Sequence, residues 1–272
     1  MFATIGHTFE LMKMSWRVLM LDRELIFFPL LAGISVLILA LVFIVIGDST
    51  GTIDTLSSEE SQKSIADYIL PAAFIFLSSA SVIFFNAALV AAALERLRGG
   101  DPNIKSGLRA ASVHLPQILA WALISVIVAM LLAALRRRGG GGQIAAWLGG
   151  AAWGLATFFV IPVLVSEGVG PIEAIKRSAG LFRKTWGRQA TSEFGFGIIM
   201  IVALLIALLP SYLLFLIHPV LGIAAGVPLV AIAVGTVQAL QGIFKAALYD
   251  YANGHQPHGF DRATLEGAYR SR

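Results

Sequence analysis

The chain has 272 residues, 57% of them hydrophobic and 13% charged, with a formal net charge of +4. Its mean hydropathy of +0.82 excludes an ordinary water-soluble globule. There is no cysteine, so disulfides, zinc–thiolate sites and iron–sulfur clusters cannot form within the chain.

Five uncharged runs set the predicted elements: Leu25 to Gly47, Tyr68 to Leu94, Ala110 to Leu135, Gly139 to Ser166, and Phe194 to Phe244. A hydrocarbon core of about 30 Å needs about 20 apolar residues in a helix, so the first four runs each make one crossing. The first run is longer than a signal-peptide core and offers no small-x-small cleavage site at Val45-Ile46-Gly47-Asp48, so it is expected to stay in the protein. The fifth run would measure about 77 Å as a single helix and must fold back. His218-Pro219 near its middle favours a turn there, because proline lacks an N–H and restricts the residue before it. The sequence therefore predicts six spans at about 25–47, 69–94, 115–135, 144–166, 194–217 and 220–247. A cytoplasmic tail is expected over 248–272, with kinks at Pro210 and Pro228 inside the last two spans.

Amphipathic helices are predicted ahead of the odd-numbered spans. Phe2, Ile5, Phe9, Met12, Trp16 and Leu19 recur at alternating spacings of 3 and 4, with His7, Glu10, Lys13 and Arg17 off the stripe. Ile104, Leu108, Ala111 and Leu115 repeat the pattern before the third span, and Ile172, Ile175, Ala179, Phe182 and Trp186 before the fifth. The last two segments open with Pro102 and Pro171, a residue tolerated in a first helical turn. Such stripes suit helices lying in the membrane interface.

Lys and Arg set the orientation. Sixteen of the 20 fall on one side, in the N-terminal segment, 95–109, 167–193 and the stretch from Lys245 onward. The other side holds Lys63 and the Arg136-Arg137-Arg138 turn. Both termini are expected to be cytoplasmic. The fold class is thus an all-α membrane protein with six transmembrane helices in three hairpins, each preceded by a cytoplasmic amphipathic helix. Parallel repeats of this kind occur in membrane proteins.

Ser15-Trp16 ahead of Asp22-Arg23-Glu24-Leu25-Ile26-Phe27-Phe28-Pro29, Phe84-Phe85-Asn86 ahead of Gly100-Asp101-Pro102, and Ala174-Ile175-Lys176-Arg177-Ser178 ahead of Thr185-Trp186-Gly187 resemble the family catalogued as domain of unknown function 6159 over nearly the whole chain. The last segment is also similar to the membrane domain associated with some glycerophosphodiester phosphodiesterases. The resemblance implies a six-span bacterial or archaeal integral membrane protein and carries no activity.

Polar side chains inside spans are the first functional suspects. They are Asn86, Gln117, Gln238, Gln241 and Lys245, the last three on one helical face. Two readings stand side by side. In one they form a cytoplasm-facing vestibule for a lipid headgroup or anionic solute. In the other the amides join helices and Lys245 snorkels to the interface. Gly150 with Gly154 and Gly222 with Gly226 have the spacing of close helix packing. His255 and His258 flank a proline, which breaks helical spacing and disfavours a metal site. No nucleophile–base set, Gly-Lys-Ser/Thr loop or carboxylate relay is present. The sequence leads to an expectation of no enzyme activity, cofactor or metal and no nucleic-acid partner. The basic face is expected to meet anionic lipids, with a protein partner or a second copy of the chain as a further possibility. A scaffold or assembly role in the cytoplasmic membrane is expected, with a channel or transporter for a small or amphiphilic solute as the alternative.

Overall fold

The computed structural model describes residues 2–57, 65–186 and 192–260. Among these residues it is all helical. The helices are α1 (Phe2–Leu21), α2 (Phe27–Ser49, entered through a 3-10 turn at Arg23–Ile26), α3 (Thr52–Ser57), α4 (Ala66–Leu97), α5 (Ile104–Val113) and α6 (Leu115–Arg137). They continue as α7 (Gly140–Thr157), α8 (Val160–Glu167), α9 (Pro171–Trp186), α10 (Ser192–Ile217) and α11 (Pro219–Ala252). Six stretches are long and apolar enough to cross a membrane: Arg23–Ser49, Asp67–Leu97, Leu115–Arg137, Gly140–Glu167, Ile199–Ile217 and Pro219–Ala252. The chain is an integral multi-pass membrane protein.

The long uncharged run folds back at His218, whose extended backbone separates α10 from α11 and whose Nδ1 accepts the Val220 N–H at 3.2 Å. Pro210 and Pro228 lie inside helices that continue past them. The fourth span, in contrast, is broken. Pro162 has no N–H to give the Phe158 carbonyl. The Phe159 N–H leaves the helical ladder and donates to the buried Ser178 Oγ on α9 at 2.9 Å. One hydroxyl thus satisfies the break and fastens α9 to it.

Helices α2 and α4, α6 and α7, and α10 and α11 pack as neighbours in sequence. The amphipathic helices link these pairs. Helix α5 lies on α4, α9 lies on α7 and α8, and α1 crosses the length of the chain to lie on α11 and α10. Each therefore docks on the second span of another pair, and α1 closes the ring. Helices α4, α8 and α11 meet in the middle, through Ala87, Ala88 and Leu89, Val163 and Leu164, and Ala246, Ala247 and Leu248, all buried. We call this the closed end.

The apolar stripes read from the sequence are only partly buried against protein. Trp16 is 47% exposed and Ile172 63% exposed, whereas Leu19 and Ala111 of the same stripes are buried, together with Met14, Ser15 and Val18 on α1, Gly107 on α5, and Ala174 and Ser178 on α9, which lie off them. Without an aqueous driving force between helices, small residues that permit close approach mark the contact face. At Gly107 a Cβ would fall 2.5 Å from Phe28 Cζ and 2.9 Å from the Ala88 carbonyl oxygen. The side chains of Phe2, Ile5, Phe9 and Trp186 lie outside the described set. Pro171 opens α9, but Pro102 precedes the cap of α5, where Asn103 and Ser106 exchange bonds between side chain and backbone.

Candidate functional site

Charged residues at the closed end lie on the termini of the central helices. Arg96, in the last turn of α4, makes a two-pronged contact with Asp22 in the α1–α2 linker and donates to Asp101 at 2.7 Å. Arg98, just beyond α4, donates to Asp250 on α11 at 2.7 Å; the Asp250 side chain is 1% exposed and that of Arg98 47%. This carboxylate holds the Arg98 guanidinium above its ordinary pKa. Next along α11, Tyr249 donates to Glu167 at the end of α8 at 2.8 Å, and Arg177 of α9 pairs with Glu167 and Glu173. The Ile104 N–H at the start of α5 donates to Glu24 at 3.1 Å. These contacts form a polar belt joining all three central helices to α9 and to the linker after α1. A buried charge is tolerated when it is paired and hydrogen-bonded, and Asp250 meets that condition.

The stretch after Lys245 is not a free tail. Helix α11 runs on to Ala252, the His258 N–H donates to the Leu97 carbonyl at 2.8 Å, and the His258 ring lies 3.1 Å from the same oxygen. Pro257 and Phe260 are buried, and Gly259 lies beside Val18. The segment latches α4 and α1 together and orders His258 on backbone. Residues 261–272 lie outside the described set.

The five intramembrane polar residues separate into two places. Gln117, near the start of α6, donates from Nε2 to the Gly168 carbonyl at 3.4 Å and so joins α6 to the end of α8. Its buried Oε1 has no partner. Gln238, Gln241 and Lys245 stand on one face of α11, where Gln238 is exposed and the other two are half-buried. Lys245 Nζ lies 4.9 Å from the centroid of the Phe158 ring, at the break of the fourth span. Asn86 is exposed on α4. On that helix Leu89 is the side chain nearest Gly242 of α11, and Asn86 lies about 60° around from it. The buried layer of the closed end begins directly beside two of these five residues, with Ala87 following Asn86 on α4 and Ala246 following Lys245 on α11.

The polar face of α11 continues outward as an apolar groove. Val227, Val230, Val234, Gln238, Gln241 and Lys245 recur at spacings of 3 and 4 and share one stripe. The outer half of this stripe and the facing side of α10, including Leu205, Leu209 and Phe215, line a cavity of about 1260 Å³. Its closed point is the hairpin tip: a Cβ on Gly222 would fall 2.4 Å from Phe215 Cβ, and one on Gly226 3.2 Å from Ser211 Cβ. The second glycine pair behaves differently. Gly150 has ordinary contact with Leu132 at 3.8 Å, and a Cβ on Gly154 would meet nothing within 4 Å. A Cβ at Gly154 thus faces open space, while its neighbour Trp153 stacks on Trp121 of α6. Helix α10 packs on α11 and α1, and no packing of that extent joins it to α7 or α8 among the described residues.

Intramembrane polarity pointed to the face of α11 but not to the belt. The belt's sequence signal is present in hindsight: Asp22, Arg96, Arg98, Glu167 and Asp250 all stand within a few residues of span ends, where charge also reads as ordinary interface composition.

The chain belongs to a family of unknown function, DUF6159, whose model matches residues 65–259. The Phe84–Pro102 and Ala174–Gly187 segments fall inside this match, and the Ser15-Trp16 and Asp22–Pro29 segments precede it. No curated protein matches the chain, and no solved structure does.

Proposed function

We propose that this member of the DUF6159 family is a non-enzymatic scaffold or assembly factor of the cytoplasmic membrane, with both termini and the closed end facing the cytoplasm. On this reading α1, α5 and α9 lie in the interface as a three-sided platform, and each leads a two-span hairpin. The ring closure carries the proposal: each platform helix is fixed to the second span of another pair, so the platform is a single surface. Lys13, Arg17, Lys105, Arg109 and Lys176 are exposed on it, and each basic residue near an anionic leaflet contributes about 1 kcal/mol. The belt supports the same reading, since its charges pair with one another across helices. Proteins docking on anionic membrane, or a second copy of the chain, are the partners such a surface fits.

Charge reversal at Lys105, Arg109 and Lys176 tests the proposal. The folded variant should lose proteins that co-purify stoichiometrically with the wild-type chain in mild detergent. Proteoliposomes containing either protein should show no protein-dependent flux of potassium or glutamate. Flux that falls when Gln241 or Lys245 is replaced would favour the transporter reading, for which the exposed amides Asn86 and Gln238 inside spans are the supporting observation.

A further inference from the structure

We propose that the groove along α10 and α11 binds an anionic amphiphile drawn from the bilayer, its acidic group held by Lys245, Gln241 and Gln238 and its chains lying in the apolar half. The proposal stands independently of the scaffold reading. Three observations converge on it. First, one stripe of α11 changes character along its length: Val227, Val230 and Val234 in the outer half, then Gln238, Gln241 and Lys245 toward the closed end. From Val227 to Lys245 the stripe covers about 27 Å at 1.5 Å per residue, the scale of a lipid rather than of a small solute.

Second, the apolar half is a real volume. It is an open cleft of about 1260 Å³, with Leu205, Leu209 and Val227 of its lining exposed, a shape that suits a lipid chain lying along it rather than an enclosed solute. Of its lining residues only Ser211 and Tyr212 carry a polar side-chain atom, and the Ser211 hydroxyl is turned back onto the Ala207 carbonyl at 2.7 Å. A hydrated solute would find only the Tyr212 hydroxyl in this half to replace its water, whereas a hydrocarbon chain would bury its surface there.

Third, the polar end is built to hold negative charge. Lys245 is held against the face of Phe158, which is itself buried. This contact favours the ammonium at the inner end of the α11 stripe, beyond Val234 where the groove lining stops. One and two turns outward, Gln241 and Gln238 offer amide donors on the same side. The groove is open on its outer side, where Leu205, Leu209 and Val227 are exposed, which gives lateral access from the bilayer. Polarity falls from the closed end outward, so the occupant has the orientation of a lipid in the leaflet on that side, with its headgroup drawn below the level of its neighbours. The acidic group is a phosphate diester or a fatty-acid carboxylate, both satisfied by one cation and two amide donors.

The full-length protein in a mild detergent, examined by native mass spectrometry with added phosphatidylglycerol, phosphatidylcholine or oleate, tests this. Retention of phosphatidylglycerol or oleate should exceed that of phosphatidylcholine at least fivefold, and the anion retained identifies the acidic group. Lys245→Arg should keep the preference, and Lys245→Gln should abolish it, whereas Arg138→Gln in the turn between α6 and α7 should leave it unchanged. Should the Lys245 variants fail to fold, Val230→Cys in this cysteine-free chain replaces them. Its labelling by a bilayer-dissolved maleimide should slow at least threefold with the preferred anionic lipid and not with phosphatidylcholine. Equal retention of all three lipids, or equal labelling rates, would overturn the proposal.

Discussion

The two ends of the bundle are held by different physics. At the closed end, alanines and glycines let α4, α8 and α11 touch, and the carboxylates at the helix ends are engaged by neighbours: Asp250 by Arg98, Glu167 by Tyr249 and Arg177, Asp22 by Arg96. At the other end, α10 and α11 meet at Gly222 and then flank an open groove, and large aliphatic side chains such as Leu37, Leu131 and Leu205 point outward. In lipid, hydrocarbon side chains gain little by leaving hydrocarbon, so bulk does not pull these helices together. Close packing and polar pairing do. The closed end therefore specifies the fold, and the open end is available for lipid.

This contrast is sharpest at Asp250. Removing Arg98 leaves a buried carboxylate without its cation, a loss of about 3–5 kcal/mol for a fully buried pair. Arg98 is half exposed, so water screens part of this and Arg98→Ala should cost about 3 kcal/mol. Thermal unfolding in detergent should register it as the largest single-site loss, and replacing both partners with apolar residues should recover most of it. Gly107→Val should cost about 1–3 kcal/mol by overpacking against Phe28 and the Ala88 carbonyl. Ser178→Ala, which leaves the Phe159 N–H unpaired, should cost about 1–3 kcal/mol, with α9 exchanging amide hydrogens faster than α5. Leu205→Ala, on the outward groove wall, should stay within about 0.5 kcal/mol of the wild type. Arg177→Gln should not measurably change the unfolding temperature, because its ion pairs are exposed. A large loss at Leu205 with none at Arg98 would reverse the comparison.

Much of this architecture was legible in the residues. Charge-free runs and the His218-Pro219 turn mark out six helices, since a helix long and apolar enough to span has few other folds in lipid. The amphipathic helices were legible as elements, and the exposed Trp16 and Ile172 agree with stripes that face lipid, but Ser15, Gly107 and Ser178, which touch protein, were hidden because periodicity selects the apolar residues and passes over small ones. The break at Phe159 was hidden, because it depends on Pro162 together with a serine on a helix still to come. Of the candidate site, the common face of Gln238, Gln241 and Lys245 followed from spacing alone. The aromatic ring beneath Lys245, the apolar groove beyond Gln238 and the pairing of Arg98 with Asp250 are long-range contacts, and no local pattern carries them.

The central claim is that the belt and the three amphipathic helices face the cytoplasm. The absence of cysteine permits a direct measurement: single cysteines at Gly140, in the turn between α6 and α7, and at Gly254, just beyond α11, exposed to an impermeant maleimide in sealed cells. The account predicts that Gly140→Cys is labelled at once and Gly254→Cys only after permeabilisation. Labelling of Gly254→Cys in sealed cells, with Gly140→Cys protected, would place the closed end on the outside and contradict it.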